Sequence, residues 1–217
     1  MSFLADELHE KPGEIKLVYF IKSVVFIFIL LSGNLSHAET PEQAALDAIQ
    51  QNYEKVLTFE ADFIQKSYIK MMDKTQDVKG TVSIKKPGKM KWDYGAPDTQ
   101  ILISNESTLW LYVPDEEQAT KVPIESIYSS NTPALFLAGK GKLMQTFNVE
   151  SVNLDKDPIR ITLTPKADDQ ALTRLQLFAD KKNYQITGST VYDKLGNKTE
   201  IRFSNIKTNR EIPEIGR

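Results

Sequence analysis

The 217-residue sequence has no cysteine and only two histidines, His9 and His37. Both precede Glu39, so the chain from there onward carries neither thiol nor imidazole. That excludes Ser-His and Cys-His nucleophilic catalysis and the usual zinc ligand sets. It also excludes disulfides, which leaves the hydrophobic core to hold the fold, a task feasible at this length. A glycine-rich phosphate loop is missing as well. No metal and no cofactor is expected. Neither sign of charge dominates: 27 Lys and Arg against 29 Asp and Glu give a net charge of -2, and no nucleic-acid partner is expected. Long apolar runs are scarce. The only stretch of that kind, Leu17 to Leu31, is broken by Lys22 and falls short of the roughly 20 residues a membrane-spanning helix requires.

That stretch reads instead as a secretory signal. Lys16 and Lys22 precede the apolar Val24 to Leu31, and Ser36-His37-Ala38 supplies the small residues of a signal-peptidase site before Glu39. Residues 1–38 are therefore expected to be a signal peptide and residues 39–217 a single domain working outside the cytoplasm.

In that domain Thr40-Pro41-Glu42-Gln43 is a helix start, with a Thr cap and Pro at the first helical position. Ala45, Leu46, Ile49, Tyr53 and Val56 recur on one face, and the helix should run to about Leu57. Strands follow. Phe59, Ala61 and Phe63 alternate with Glu60 and Asp62; a polar turn is expected over Asp73 to Asp77. From Gly80 to Tyr112, Val82 and Ile84, then Met90, Trp92 and Tyr94, keep the period of strands with one wet face, punctuated by Pro87-Gly88, Gly95-Ala96-Pro97 and Asn105-Glu106-Ser107. Five more strands are expected between Phe147 and Ile206. Between the two groups, Thr132 caps a short helix of Pro133, Ala134, Leu135, Phe136 and Leu137 that Gly139 ends. It is apolar around much of its circumference, as either a core plug or a lid would be.

The fold class this predicts is mostly β with helices (α+β). An antiparallel sheet of about ten strands is too wide to be filled by its own side chains once it curls. The expected form is a curled, incompletely closed barrel with a helical lid over an apolar cavity. Met90 and Trp92 should line that cavity, joined by either Trp110 and Tyr112 or Leu109 and Leu111, because the strand over residues 108–113 is apolar on both faces. Two catalytic alternatives remain: a Ser-Lys pair using Ser104 or Ser107, and a glycosidase-like carboxylate pair drawn from Asp93, Asp115, Glu116 and Asp168.

Several of these residues also form a pattern. Lys86-Pro87, the Met90 to Trp92 step, Ala96-Pro97, Ser104, Leu109 to Tyr112, the stretch Phe59 to Lys66 and Leu163-Thr164-Pro165-Lys166 together resemble the LolA family of periplasmic lipoprotein carriers. The resemblance implies a non-enzymatic periplasmic monomer that shelters the acyl chains of lipoproteins. It implies an inner-membrane LolCDE-type ABC transporter as donor and a LolB-type outer-membrane acceptor. It also implies a lid latch at Lys86, where the family normally has Arg, bonding backbone carbonyls of the lid helix. A binding module for another lipid or an envelope-stress ligand would have the same shape. One departure stands out: the chain ends in Glu211-Ile212-Pro213-Glu214-Ile215-Gly216-Arg217 where the family closes with a strand of alternating Phe, so an edge strand is expected to be missing or very short.

Overall fold

The computed structural model describes residues 39–97, 99–105, 107–123, 143–166 and 172–215. The signal segment 1–38, the helix of Pro133 to Leu137 and Asp168 lie outside the described residues.

The chain opens with helix α1 (Pro41–Lys55), whose Thr40 side chain accepts a hydrogen bond from the Gln43 backbone N–H at 3.2 Å. It ends two residues before the expected Leu57 because Val56 turns extended, its N–H still donating to the Asn52 carbonyl. Among the described residues eleven strands follow: β1 (Thr58–Ile69), β2 (Lys74–Lys85), β3 (Lys89–Tyr94), β4 (Gln100–Ser104), β5 (Thr108–Val113), β6 (Gln118–Pro123), β7 (Phe147–Asn153), β8 (Ile159–Pro165), β9 (Leu172–Ala179), β10 (Ile186–Asp193) and β11 (Lys198–Thr208). A single turn of helix, α2 (Leu143–Thr146), leads into β7. All eleven strands belong to one antiparallel sheet ordered β6-β5-β4-β3-β2-β1-β11-β10-β9-β8-β7, with β6 and β7 as its open edges.

The sheet curls strongly. Strands β3 and β11 stand three places apart, about 14 Å at ordinary strand spacing, yet the Trp92 and Phe203 rings they carry approach to 6.2 Å. Bulges supply part of the bend. The β1–β11 register slips between Glu60 and Asp62, opposite Asn205, whose backbone is left-handed at φ 52°. Gly80 permits a second close approach: a Cβ there would lie 2.1 Å from the Asp93 carbonyl oxygen and 2.7 Å from the Phe63 ring.

One face of the sheet is therefore concave, and both halves contribute to a single core. Phe63, Val82, Ile84, Met90 and Trp92 come from the early strands, and Ile161, Leu163, Leu177 and Ile201 from the late ones. Helix α1 covers this face with Ala45, Leu46, Ile49 and Tyr53, all buried. Removing Leu46 and Ile49 from water contributes about 1.5–3 kcal/mol each.

Two expectations from the sequence are corrected. Asp73 to Asp77 is not a turn: residues Lys70–Met72 form one 3-10 turn, Asp73 adopts φ 46°, and β2 begins at Lys74. Strand propensity was masked there because both faces of the hairpin end are polar and exposed. The C-terminus, in turn, is not at an edge. Strand β11 lies between β1 and β10, and residues 209–215 leave from the middle of the sheet to strap the α1–β1 junction.

Asn209 is the knot of that strap. At φ 55°, its backbone N–H donates to the Thr58 carbonyl, its Nδ2 to the Lys55 carbonyl at 3.1 Å, and its Oδ1 accepts from the Leu57 N–H at 2.7 Å. Thr58 Oγ1 donates to the Arg210 carbonyl, Ile212 and Ile215 are buried, and Glu214 pairs with Lys85 and Lys89. Those two lysines hold the Glu214 carboxyl down to about pKa 2. Replacing Asn209 by alanine should cost about 1–2 kcal/mol, from lost capping bonds and a side chain placed in a left-handed backbone. Urea unfolding checks this, with Asn209→Gly, which keeps the backbone geometry, separating the two contributions.

Candidate apolar binding site

Register assigns each expected cavity residue to a face. Directly paired residues of an antiparallel sheet point the same way. Met90 pairs with Ser104, and Ser104 with Leu109; Trp92 pairs with Leu102, and Leu102 with Leu111. Leu109 and Leu111 therefore share the concave face with Met90 and Trp92, the choice left open by the apolar character of both faces of β5. Trp110 and Tyr112 point to the other side. Lys121 Nζ lies 6.0 Å from the centre of the Trp110 ring, and Tyr112 is 39% exposed.

Within the concave wall Trp92 is fully enclosed. Its ring meets Phe63 at 5.0 Å edge-on and Tyr94 at 6.4 Å stacked, and its Nε1–H has no acceptor among the described residues. Burial raises the Tyr94 hydroxyl to about pKa 12, where it donates to Gln65 Oε1 at 3.3 Å.

At the end of α1, polar and apolar groups converge on a cleft. Tyr53, Val56, Phe59, Ile84, Lys86 and Ile186 are among its lining residues, and its volume is about 30 Å³. That is about the volume of one water molecule. Lys86 sits in it: Nζ donates to the Tyr53 carbonyl at 2.5 Å and stands 3.7 Å from the centre of the Tyr53 ring, while its backbone N–H donates to the Leu57 carbonyl. Asn52 Nδ2 adds a bond to the Asn183 carbonyl at 3.2 Å, and the Gln185 Nε2 is buried with no partner among the described residues. The resemblance places the partners of Lys86 on the helix over 133–137, outside the described residues; the partner described is the last turn of α1. Asn209, Asn52 and Gln185 carried no sequence signal, since an isolated amide in a polar stretch looks like any surface residue.

Desolvation lowers Lys86 to about pKa 8, partly offset by the charge of Glu54. A lysine in the unfolded chain keeps its proton to about 10.4, so between those values the unfolded state binds more protons. Stability contributed by this group is thus present above the unfolded value and is lost as pH falls through about 8. The urea midpoint of the wild type, compared with Lys86→Leu, should rise between pH 8 and 10; superimposable pH profiles would contradict this.

Of the hydroxyls and carboxylates that the sequence offers for catalysis, Ser104, Ser107 and Asp93 have structural partners. Ser104 is buried and its Oγ donates to the Gly88 carbonyl at 3.0 Å, while the Ser107 N–H and Oγ both donate to Asn105 Oδ1. Asp93 pairs with Lys91 at 3.1 Å, and Asp115 and Glu116 lie in an exposed 3-10 turn. A larger hollow of about 650 Å³ lies over β1, β2 and β11; Glu60, Asp62, Thr81, Ser83 and Lys207 make it polar and unsuited to a fatty chain.

A curled apolar wall with a helix drawn over it, and hydroxyls occupied by the backbone, defines a carrier of apolar cargo. The comparisons give that class a family. The family model described as outer membrane lipoprotein carrier protein LolA matches residues 54–214. The outer-membrane lipoprotein carrier protein of Chromohalobacter salexigens is 34% identical over 160 residues, 73% of this chain and 74% of that protein. That of Hahella chejuensis is 33% identical over 174 residues, 79% of this chain and 81% of that one. A DUF1329 family protein from Desulfovibrio piger shares the fold, with a TM-score of 0.50 at 12% identity over 80% of this chain and 95% of that chain. The chain belongs to the LolA family of outer-membrane lipoprotein carriers. It is a lipoprotein chaperone and not an enzyme.

Proposed function

We propose that residues 1–38 direct this chain to the periplasm, where residues 39–217 act as a single monomeric carrier domain. It takes acylated lipoproteins from a LolCDE-type ABC transporter of the inner membrane and passes them to a LolB-type outer-membrane acceptor. The acyl chains lie against the concave wall of Met90, Trp92, Leu109 and Leu111, the helix of Pro133, Ala134, Leu135, Phe136 and Leu137 serves as lid, and Lys86 is the latch.

The observation that carries this reading is α1 lying over an apolar wall with only about 30 Å³ left at its pinned end. A chain of about 15 methylenes gains over 10 kcal/mol by leaving water and is far larger than that cleft, so in this reading loading at this end moves the helix aside. The bonds from Lys86, Asn52 and Asn209 gather at its last turn, so the turn acts as hinge and catch together. A carrier built this way binds cargo against a closing force, which favours handing it on.

Purification from the periplasm of a Gram-negative host, followed by intact mass spectrometry of bound material, tests the reading. Acylated protein in the complex supports it. Free lipid as the sole bound material would assign the wall to a different ligand and overturn it, and so would protein recovered without any bound species from cells actively exporting lipoproteins.

A further inference from the structure

At the other end of β1 from the Lys86 cleft, some twelve residues or roughly 36 Å of strand away, two turns stand side by side. They are the β1–β2 turn around residues 70–73 and the β10–β11 turn around 194–197. The Lys70 backbone N–H donates to Asn197 Oδ1 at 3.0 Å, and a Cβ on Gly196 would fall 2.5 Å from the Lys70 Cδ. Three large apolar side chains project from the pair into solvent: Met71 at 92% exposure, Leu195 at 78% and Met72 at 58%.

Their exposure does not come from slack backbone. Asp193 Oδ1 and Oδ2 accept from the Asn197 N–H and Nδ2, each at 2.8 Å, and the Tyr68 hydroxyl donates to Asp73 Oδ1 at 3.0 Å. The turns are held in shape while their apolar ends point outward. Around them stand Lys70, Lys74, Lys194 and Lys198 against Asp73, Asp193 and Glu200, the last reached by Lys198 at 3.3 Å, which leaves a small excess of positive charge.

We infer that the paired β1–β2 and β10–β11 turns are a membrane-contacting tip that docks the protein transiently on an anionic phospholipid surface. The shape and chemistry favour a bilayer over a protein partner. A protein interface anchors apolar side chains in a pocket, whereas these three stand on two convex tips. Thioether and isobutyl groups of this length reach the acyl boundary, while lysines with flexible stems meet headgroup phosphates at the level above. Each lysine near an anionic surface adds attraction that salt screens. Three apolar residues and a modest excess of positive charge give reversible contact, unlike an anchored helix.

Flotation of the purified protein with phosphatidylglycerol–phosphatidylcholine vesicles and with pure phosphatidylcholine vesicles, at low and at high salt, tests this. The wild type should float with the anionic vesicles, several-fold less at high salt and little with neutral ones. Met71→Ser combined with Met72→Ser and Leu195→Ser should weaken partition by about tenfold. Lys70→Gln with Lys74→Gln should weaken it and flatten its salt dependence. Met71→Ser alone, at the most exposed site, guards against a folding defect, and the urea midpoint of each variant should match the wild type. A wild type that stays off anionic vesicles, or a triple variant that floats equally well, overturns the inference. So does loss of binding by the triple variant to a purified membrane transporter with vesicle partition unchanged, which would assign the tip to a protein. Because the tip is remote from the cleft, its variants should leave the retention of bound acyl chains untouched.

Discussion

Trp92→Ala should lower the unfolding free energy by about 3–5 kcal/mol, the range for truncating a large buried aromatic. For a protein of this size that corresponds to a fall in melting temperature on the order of 10 °C. The side chain is fully buried and its ring is shared among Phe63, Tyr94 and Phe203, contributed by three different strands, so the cavity left behind cannot close without unbending the sheet. Trp92→Phe should cost well under half as much. It keeps most of the ring contacts and removes an indole N–H that has no acceptor, a group whose burial itself costs about 1–3 kcal/mol. Thermal and urea unfolding of both variants measure the difference. Equal, small losses would mean that the aromatic cluster does not hold the two halves of the concave wall together.

Lys86→Leu should leave the protein folded and slow the release of bound cargo by about tenfold or more. The variant loses a charge-assisted bond to the Tyr53 carbonyl and the approach to the Tyr53 ring, interactions of about 1.5–3 kcal/mol in partly buried settings. Leucine retains the apolar stem in the cleft, so packing is largely kept. The direction follows from where the bond is made. With α1 held on the sheet the cleft has about 30 Å³ and excludes a fatty chain, so a bond that favours this arrangement disfavours the loaded one. Breaking it tips the balance toward the lifted helix and holds cargo longer. A fluorescent acyl probe chased by an acceptor reads the rate, and release at the wild-type rate would remove Lys86 from the mechanism. The pH dependence is a separate check. Burial holds the Lys86 amine at about pKa 8 with α1 down, whereas a solvated lysine keeps its proton to about 10.4, so raising the pH between those values favours the closed arrangement, and release should quicken in the wild type but not in the variant.

Much of this arrangement could be read from the residues alone. Alternation of apolar and polar side chains in Phe59 to Phe63 and Met90 to Tyr94 is strong because one face meets a core and the other meets water. The Thr40-Pro41 start of α1 was equally plain, since its cap and proline act locally. Where both faces carried similar chemistry the pattern failed. In β5, Leu109 to Tyr112 is apolar throughout, and only pairing with β4 separates the inward leucines from the outward aromatics. At the start of β2, polar residues on both faces concealed a strand. The largest gap lay in contacts across more than a hundred residues. Nothing near Asn209 announces that it closes the end of α1, and the fate of the C-terminal segment depended on β11 entering the centre of the sheet instead of its edge.

The same distinction applies to the site. The apolar composition of the wall was legible, and so was the singular position of Lys86 ahead of Pro87. The carbonyl that Lys86 meets was not, because a backbone acceptor leaves no mark in sequence.

The account rests on the chain accepting acylated protein from a membrane and holding it in water. Vesicles of inner membrane carrying a labelled lipoprotein and the transporter, supplied with ATP, test this most directly. Labelled lipoprotein should appear in the soluble fraction only when this protein is added, in a one-to-one complex with it. Label that stays with the vesicles in the presence of folded protein and ATP, or that escapes equally in its absence, would contradict the account.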